Sequence, residues 1–305
     1  MSLRARLRPV KRAVSRAMGR CWEHGFATLG SLLRSDAARW SSSGTRRVIV
    51  LAPHPDDEAI GCAGSILKHV GCGDRVSIVI ATDGRRSQMI ADPTKMSEQR
   101  RKEAAAAAEI LGDVRVEWLG LREGDWDLRE LQSRLEALLD EIEPDVIYAP
   151  SRIDFHPEHH RVAHALALAL DSHRSVPPRS LDVRIYSVQV PLTPALSNLV
   201  VDVSDVAERC HAVLRSYASQ AGSIECSYRQ RRYGARLHRV RGEVEEFWEL
   251  PAARYASLHL DTPEQWPDAF RGLRNFALSD PFAYLVGQRE RRRLRSAAAS
   301  SGRQR

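Results

Sequence analysis

A run of buried-strand character that ends abruptly in charge constrains this chain more than any other feature. Val48-Ile49-Val50-Leu51 is followed at once by Ala52-Pro53-His54-Pro55-Asp56-Asp57-Glu58. Unpaired carboxylates are costly inside a core. The imidazole and the acids packed behind it must therefore sit at the end of the strand, at an edge, where they can hold a metal ion.

From Arg47 onward, strand and helix patterns alternate. The spacing predicts strands at 48–52, 75–81, 114–119 and 146–149, and helices at 58–70, 97–111, 128–142 and 157–170. That order implies a parallel sheet with helices on both faces. Further strands are expected at 183–188, 199–203 and 243–250, with a helix at about 205–220, while 251–288 takes no clear pattern. The domain division is a basic leader at 1–45, a body at 46–250, and a C-terminal extension with a basic tail at 251–305.

A second cluster, Asp154-Phe155-His156-Pro157-Glu158-His159-His160, follows the fourth strand. Open α/β sheets collect ligands at the carboxyl ends of their strands, so neighbouring strands would bring the two clusters together. A His, an Asp and a second His form a three-ligand set of the kind found at catalytic zinc, with a spare carboxylate as general base. Helix capping by Asp56 or Asp57 is the plain alternative for one cluster alone.

The pair of motifs resembles the PIG-L / LmbE-like family of zinc-dependent de-N-acetylases. Residues 53–58 match its (A/P)-H-P-D-D-E motif, and His156 to His159 match H-P-D-H with Glu158 in place of Asp. Tyr217-Ala218-Ser219-Gln220 and Glu245-Glu246-Phe247 look like later landmarks. The resemblance implies a Rossmann-like, mostly parallel sheet and one Zn2+ per chain, bound by His54, Asp57 and His159. It makes Asp56 the general base, and His156 the group that stabilises the tetrahedral intermediate and helps protonate the amine. Glu158 would orient His156, and Arg100 and Glu123 would contact sugar hydroxyls. The implied reaction removes an N-acetyl group from an N-acetylglucosamine-type conjugate. The alternatives are an amidase of thiol-sugar conjugates and a non-catalytic sugar-binding protein on the same fold.

The formal charge of +7 conceals an uneven distribution. Residues 1–47 carry eleven Lys/Arg against two acids, and 289–305 carry seven Arg against one Glu, so the body between them is net negative. No nucleic-acid partner is expected of such a body. The five cysteines form no CxxC pair and read as reduced thiols of a cytoplasmic protein. Leu3, Leu7, Val10, Val14, Met18, Trp22, Phe26, Leu29 and Leu33 recur at helical spacing among arginines. This amphipathic helix could lie on an anionic membrane through residues 1–34, at the inner face, or pack on the body or a partner. The leader also resembles an organelle transit peptide. Oligomeric state is not legible.

Overall fold

A computed structural model of the chain describes residues 18–30, 35–42, 44–87, 89–172, 180–260, 272–278 and 281–300. A helix at 18–30 (α1) leads into a short strand, Ala38–Arg39 (β1). The alternating body follows: β2 Arg47–Ala52, α2 Asp57–Gly71, β3 Arg75–Thr82, α3 Pro93–Leu111, β4 Val114–Leu121, α4 Leu128–Ile142, β5 Val146–Ala149 and α5 Pro157–Ser172. Then come β6 Asp182–Ile185, α6 Thr193–Leu196, β7 Leu199–Asp202, α7 Ala207–Ser216, α8 Ala221–Leu237, β8 Val244–Pro251, α9 Ala252–Leu260 and α10 Gln288–Ser300.

The strands form one eight-stranded sheet in the order β1-β7-β8-β6-β5-β2-β3-β4, parallel except for β8, which runs against both of its neighbours. The strand order reverses between β2 and β5, which pair Val48 with Val146 and Val50 with Tyr148. This is the topological switch point, and both charged clusters leave the sheet there. The strands read as continuous apolar runs because both faces are covered. Ile49, Leu51, Val79 and Ile147 point into one core, while Val48, Val50, Val76, Ile78 and Tyr148 point into the other.

Three departures from the sequence expectations have local causes. Helix α3 starts at Pro93 rather than Ser97 because Asp92 caps it, accepting from the N–H groups of Thr94 (2.9 Å) and Lys95 (3.3 Å), with proline at the first helical position. The expected helix at 205–220 ends at Ser216, and a second, unanticipated helix, α8, runs from Ala221. Its buried stripe includes Ser227 and Arg231 as well as Ile224 and Leu237, so polar residues mask its period. Strand β1 falls within the expected leader, pairing Ala38 with Leu199 and Arg39 with Val200.

The membrane-surface reading of the leader fails for α1. Phe26 is buried against Tyr233, Leu237, Phe276 and Tyr284, with Trp22 and Leu29 packed alongside. The body occupies the apolar stripe that a bilayer would have needed, which is the packed-helix alternative. Residues 1–17 and 31–34 of that expectation lie outside the described residues. No helix among the described residues is long and apolar enough to cross a membrane.

Candidate metal centre and active site

Helices α2 and α5 begin where β2 and β5 end, so both helix N-termini converge on the switch point. The first turn of α2 carries Asp57 and Glu58, and that of α5 carries Glu158, where the helix dipole favours negative charge. Asp56 occupies the N-cap position of α2 but makes no capping hydrogen bond through its side chain. Its φ of 137° lies in a region that residues with a Cβ seldom adopt. Such a conformation costs on the order of 1–3 kcal/mol and persists only where its surroundings enforce it. Capping therefore does not explain Asp56.

The Asp57 carboxylate is the geometric focus. Its Oδ2 accepts from the His54 backbone N–H at 2.9 Å and lies 3.1 Å from His54 Nδ1 and 3.2 Å from His159 Nε2. His156 stands beside both imidazoles, with ring centroids 4.8 Å from His54 and 5.2 Å from His159. Ligand atoms of His54, His156 and His159 all fall within 4.8 Å of one another. Two nitrogens and a carboxylate oxygen thus converge as a metal would require, with a third nitrogen in reach. His54 Nε2 is buried without a hydrogen-bond partner, and the far nitrogen of His159, Nδ1, lies 3.2 Å from Asp154 Oδ2. A carboxylate behind a histidine is the arrangement that orients metal-binding imidazoles. The residues fit a divalent cation.

The electrostatics agree. Burial opposes charge on His54, but the hydrogen bond to Asp57 and the nearby Glu123 carboxylate overcome it and push the imidazole up to about 9. For His159, burial is again outweighed, here by the charge of Asp57 and the bond to Asp154, and it reaches about 10. The site draws positive charge to this spot. His156 goes the other way, to about 4, through burial and the repulsion of the other two histidines. Burial raises Asp56 to about 6 against the attraction of Arg100, and burial raises Glu58 to about 7.

Among the other expected site residues, Arg100 is buried. It donates to Asp56 Oδ1 at 2.5 Å and also to the Pro55 carbonyl, so its partner is the acid rather than open solvent. Gly84 makes room for it: at φ 63°, an added Cβ would meet Arg100 Nε at 2.6 Å and Pro55 at 3.0 Å. Glu123 turns inward, with Oε1 3.4 Å from His54 Nε2 and Oε2 accepting from the Arg86 N–H at 2.8 Å. The Glu158 carboxylate does not reach His156. It accepts from the Trp126 indole at 2.6 Å, and it is the Glu158 backbone N–H that meets His156 Nδ1, at 3.3 Å. The extra methylene of Glu over Asp carries the carboxylate past the ring. A neutral His156 whose Nδ1 accepts must hold its proton on Nε2.

Sequence reasoning missed two residues. Asp154 lies in a nest of donors, namely Ser187 Oγ (2.6 Å) and the N–H groups of Val188, Gln189 and Val190 (2.8–3.0 Å). Its place at the head of the second cluster was the available signal; its partners lie more than thirty positions on. Tyr217 donates a short hydrogen bond to Glu58 Oε1, and its signal was the landmark tetrapeptide.

Residues 49–170 match the family model PIG-L, GlcNAc-PI de-N-acetylase. A 1D-myo-inositol 2-acetamido-2-deoxy-alpha-D-glucopyranoside deacetylase of Saccharopolyspora erythraea is 37% identical over 75 residues, covering 22% of this chain and 27% of its own. The chain thus spans about a quarter of that relative. The diacetylchitobiose deacetylase of Thermococcus kodakarensis is 28% identical over 196 residues, 57% of this chain and 70% of its own. Among solved structures, the N,N'-diacetylchitobiose deacetylase of Pyrococcus horikoshii superposes with a TM-score of 0.57 at 25% identity, over 69% of this chain and 85% of that one. The fold and the two charged clusters define an α/β protein with a metal-type centre at its switch point. Residues 49–170, the segment that carries both clusters, are similar to the PIG-L family of de-N-acetylases.

Proposed function

We propose that the protein is a zinc-dependent hydrolase that removes the N-acetyl group from an N-acetylglucosamine-type conjugate, releasing acetate and a free amine. The observation that carries this reading is the convergence of His54 Nδ1 and His159 Nε2 on Asp57 Oδ2, with Asp56 next in sequence and clamped by Arg100. His54, Asp57 and His159 would hold the ion, with His156 alongside. A zinc ion held there would act as a Lewis acid toward the acyl oxygen and bring the pKa of a water toward about 7.

The chain's own groups do the rest. Asp56, near 6, is ionised at neutral pH. Arg100 fixes Oδ1, and no described residue hydrogen-bonds Oδ2, which leaves that oxygen to take the proton of the attacking water. As the C–O bond forms, negative charge develops on the acyl oxygen, and the Nε2–H of neutral His156 donates to it. As the C–N bond breaks, the proton collected by Asp56 passes to the leaving nitrogen. With His156 near 4, its part is chiefly as donor to the oxyanion. The positions of Arg100 and Glu123 support roles inside the site, on Asp56 and His54, ahead of direct sugar contact.

Amine release from a panel of N-acetylglucosamine conjugates tests this reading. The protein is assayed as purified, after chelation and after zinc is returned. Activity lost and restored in that order supports it, and bound metal with no release from any member would sink it.

A further inference from the structure

A cleft of about 930 Å3 adjoins the metal centre, lined by residues that include Arg85, Arg86, Arg122, Glu123, Gly124 and Asp125. Glu123 joins the two, since its Oε1 is the group 3.4 Å from His54 Nε2. The loop after β3 supplies Arg85 and Arg86, and the loop after β4 supplies Arg122. These arginines are not equivalent. Arg85 is spent on Asp83, with Nε 2.6 Å from Oδ2. Arg122 stands 3.9 Å from Asp125 Oδ2, with both side chains largely exposed. Arg86 has no acidic partner for its guanidinium among the described residues. The nearby Glu123 carboxylate instead accepts from the Arg86 main-chain N–H. The guanidinium rests against Gly124, where an added Cβ would meet its Cζ at 1.9 Å, so the absence of a side chain there creates its seat.

The geometry points to an anion subsite: the substrate is an amino-sugar conjugate whose non-sugar part carries a carboxylate or phosphate, held by Arg86 with help from Arg122. This rests on the deacetylase reading and deepens it. A guanidinium offers a planar fork of donors matched to such anions, and ion-assisted bonds are about twice as strong as neutral ones. A neutral aglycone would leave Arg86 to water.

The test compares kcat/KM for three N-acetylglucosamine glycosides: one with a carboxyalkyl aglycone, its methyl ester, and one with a phosphoalkyl aglycone of the same length. They are run with the wild-type protein, Arg86→Gln, Arg86→Gln/Arg122→Gln, and Arg115→Gln as a charge-matched control on an exposed ion pair with Glu117. An anionic substrate should exceed the ester by about tenfold at low salt, with the margin shrinking as sodium chloride screens it. The ratio should fall towards one in the double variant and persist in Arg115→Gln. Because each ratio is internal, partial unfolding does not alter it. Whichever anion gives the larger ratio identifies the charge recognised. Equal rates on acid and ester in the wild type, or a ratio that survives the double substitution, would overturn the subsite while leaving the hydrolase reading intact. Release from no member with metal bound would overturn both.

Discussion

Two buried polar clusters in this fold differ in one respect that separates a site from a strut. At the metal centre, Asp57, Asp154 and Glu123 face imidazoles and neutral donors, and the buried cation Arg100 is committed to Asp56. Behind helix α2, Glu245 faces Arg231 instead, at 2.7 Å. It also accepts from Gly64 N–H (2.8 Å), Ser65 N–H (2.8 Å) and Ser65 Oγ (2.7 Å). Burial is alike in the two places. The difference is that the second cluster closes its charge balance with residues, whereas the first is short of permanent positive charge. A divalent cation makes good that shortfall, and a protein without one must hold protons on His54 and His159.

The sharpest way to break this contrast is substitution within the site. Asp56→Ala should lower turnover by about a thousandfold or more, in the upper range for loss of a general base, while retaining metal. His159→Ala should lose metal and turnover together. Elemental analysis beside rate measurement separates the two, and an active Asp56→Ala protein would remove the mechanistic assignment. Glu245→Ala should do the opposite. It strands a buried Arg231, which costs roughly 3–5 kcal/mol of stability, and leaves the metal content of the folded fraction unchanged. Denaturant unfolding with metal analysis reads both. A Glu245→Ala protein as stable as the parent would mean the strut is dispensable.

The same contrast explains what was legible in sequence. Clusters whose members lie within a few residues, such as His54 to Glu58 and Asp154 to His159, announced themselves, and the apolar runs of β2, β3 and β5 fixed the sheet that carries them. What stayed hidden depends on partners far apart in the chain. The Asp154 nest comes from residues 187–190, and Glu245 meets α2 across about 180 positions. Helix α8 escaped because Arg231 and Ser227 sit in its buried stripe as partners of distant groups, defeating a period count built on apolar residues. The leader left two readings open for a related reason. An amphipathic stripe looks the same whether lipid or the Tyr233–Phe276–Tyr284 cluster covers it.

Histidines sharpen the comparison through pH. His69 is fully buried beside Asp74 and Tyr148, and burial pushes it down to about 4 despite the bond to Asp74. It is neutral in the fold: Nδ1–H donates to Asp74 at 2.6 Å and Nε2 accepts from Tyr148 at 3.0 Å. Its folded pKa lies below the unfolded value near 6.5, so between those values the unfolded chain binds the extra proton. Its contribution is complete above pH 6.5 and is lost as pH falls towards 4, by at most roughly 3 kcal/mol. Unfolding free energies measured from pH 7 to 4 should decline over this window. In His69→Gln the decline should be shallower, and an identical slope in the two proteins would place the proton uptake elsewhere.

The smallest effect concerns the residue that joins the two kinds of cluster. Asp154 is satisfied like a strut, with one hydroxyl and three backbone N–H donors, yet its Oδ2 also meets the far nitrogen of a proposed ligand. Asp154→Asn keeps the shape but removes the charge, and it sets an amide against N–H donors that need an acceptor. Metal affinity should fall by about 10–100-fold, the usual consequence of losing a carboxylate behind a metal-bound histidine. Turnover at saturating zinc should stay much closer to wild type than in Asp56→Ala. Zinc titration followed by competition with a chelator measures the first, and the rate at high zinc the second. Loss of turnover that excess zinc does not restore would move Asp154 from holding His159 in place to acting in the chemistry itself.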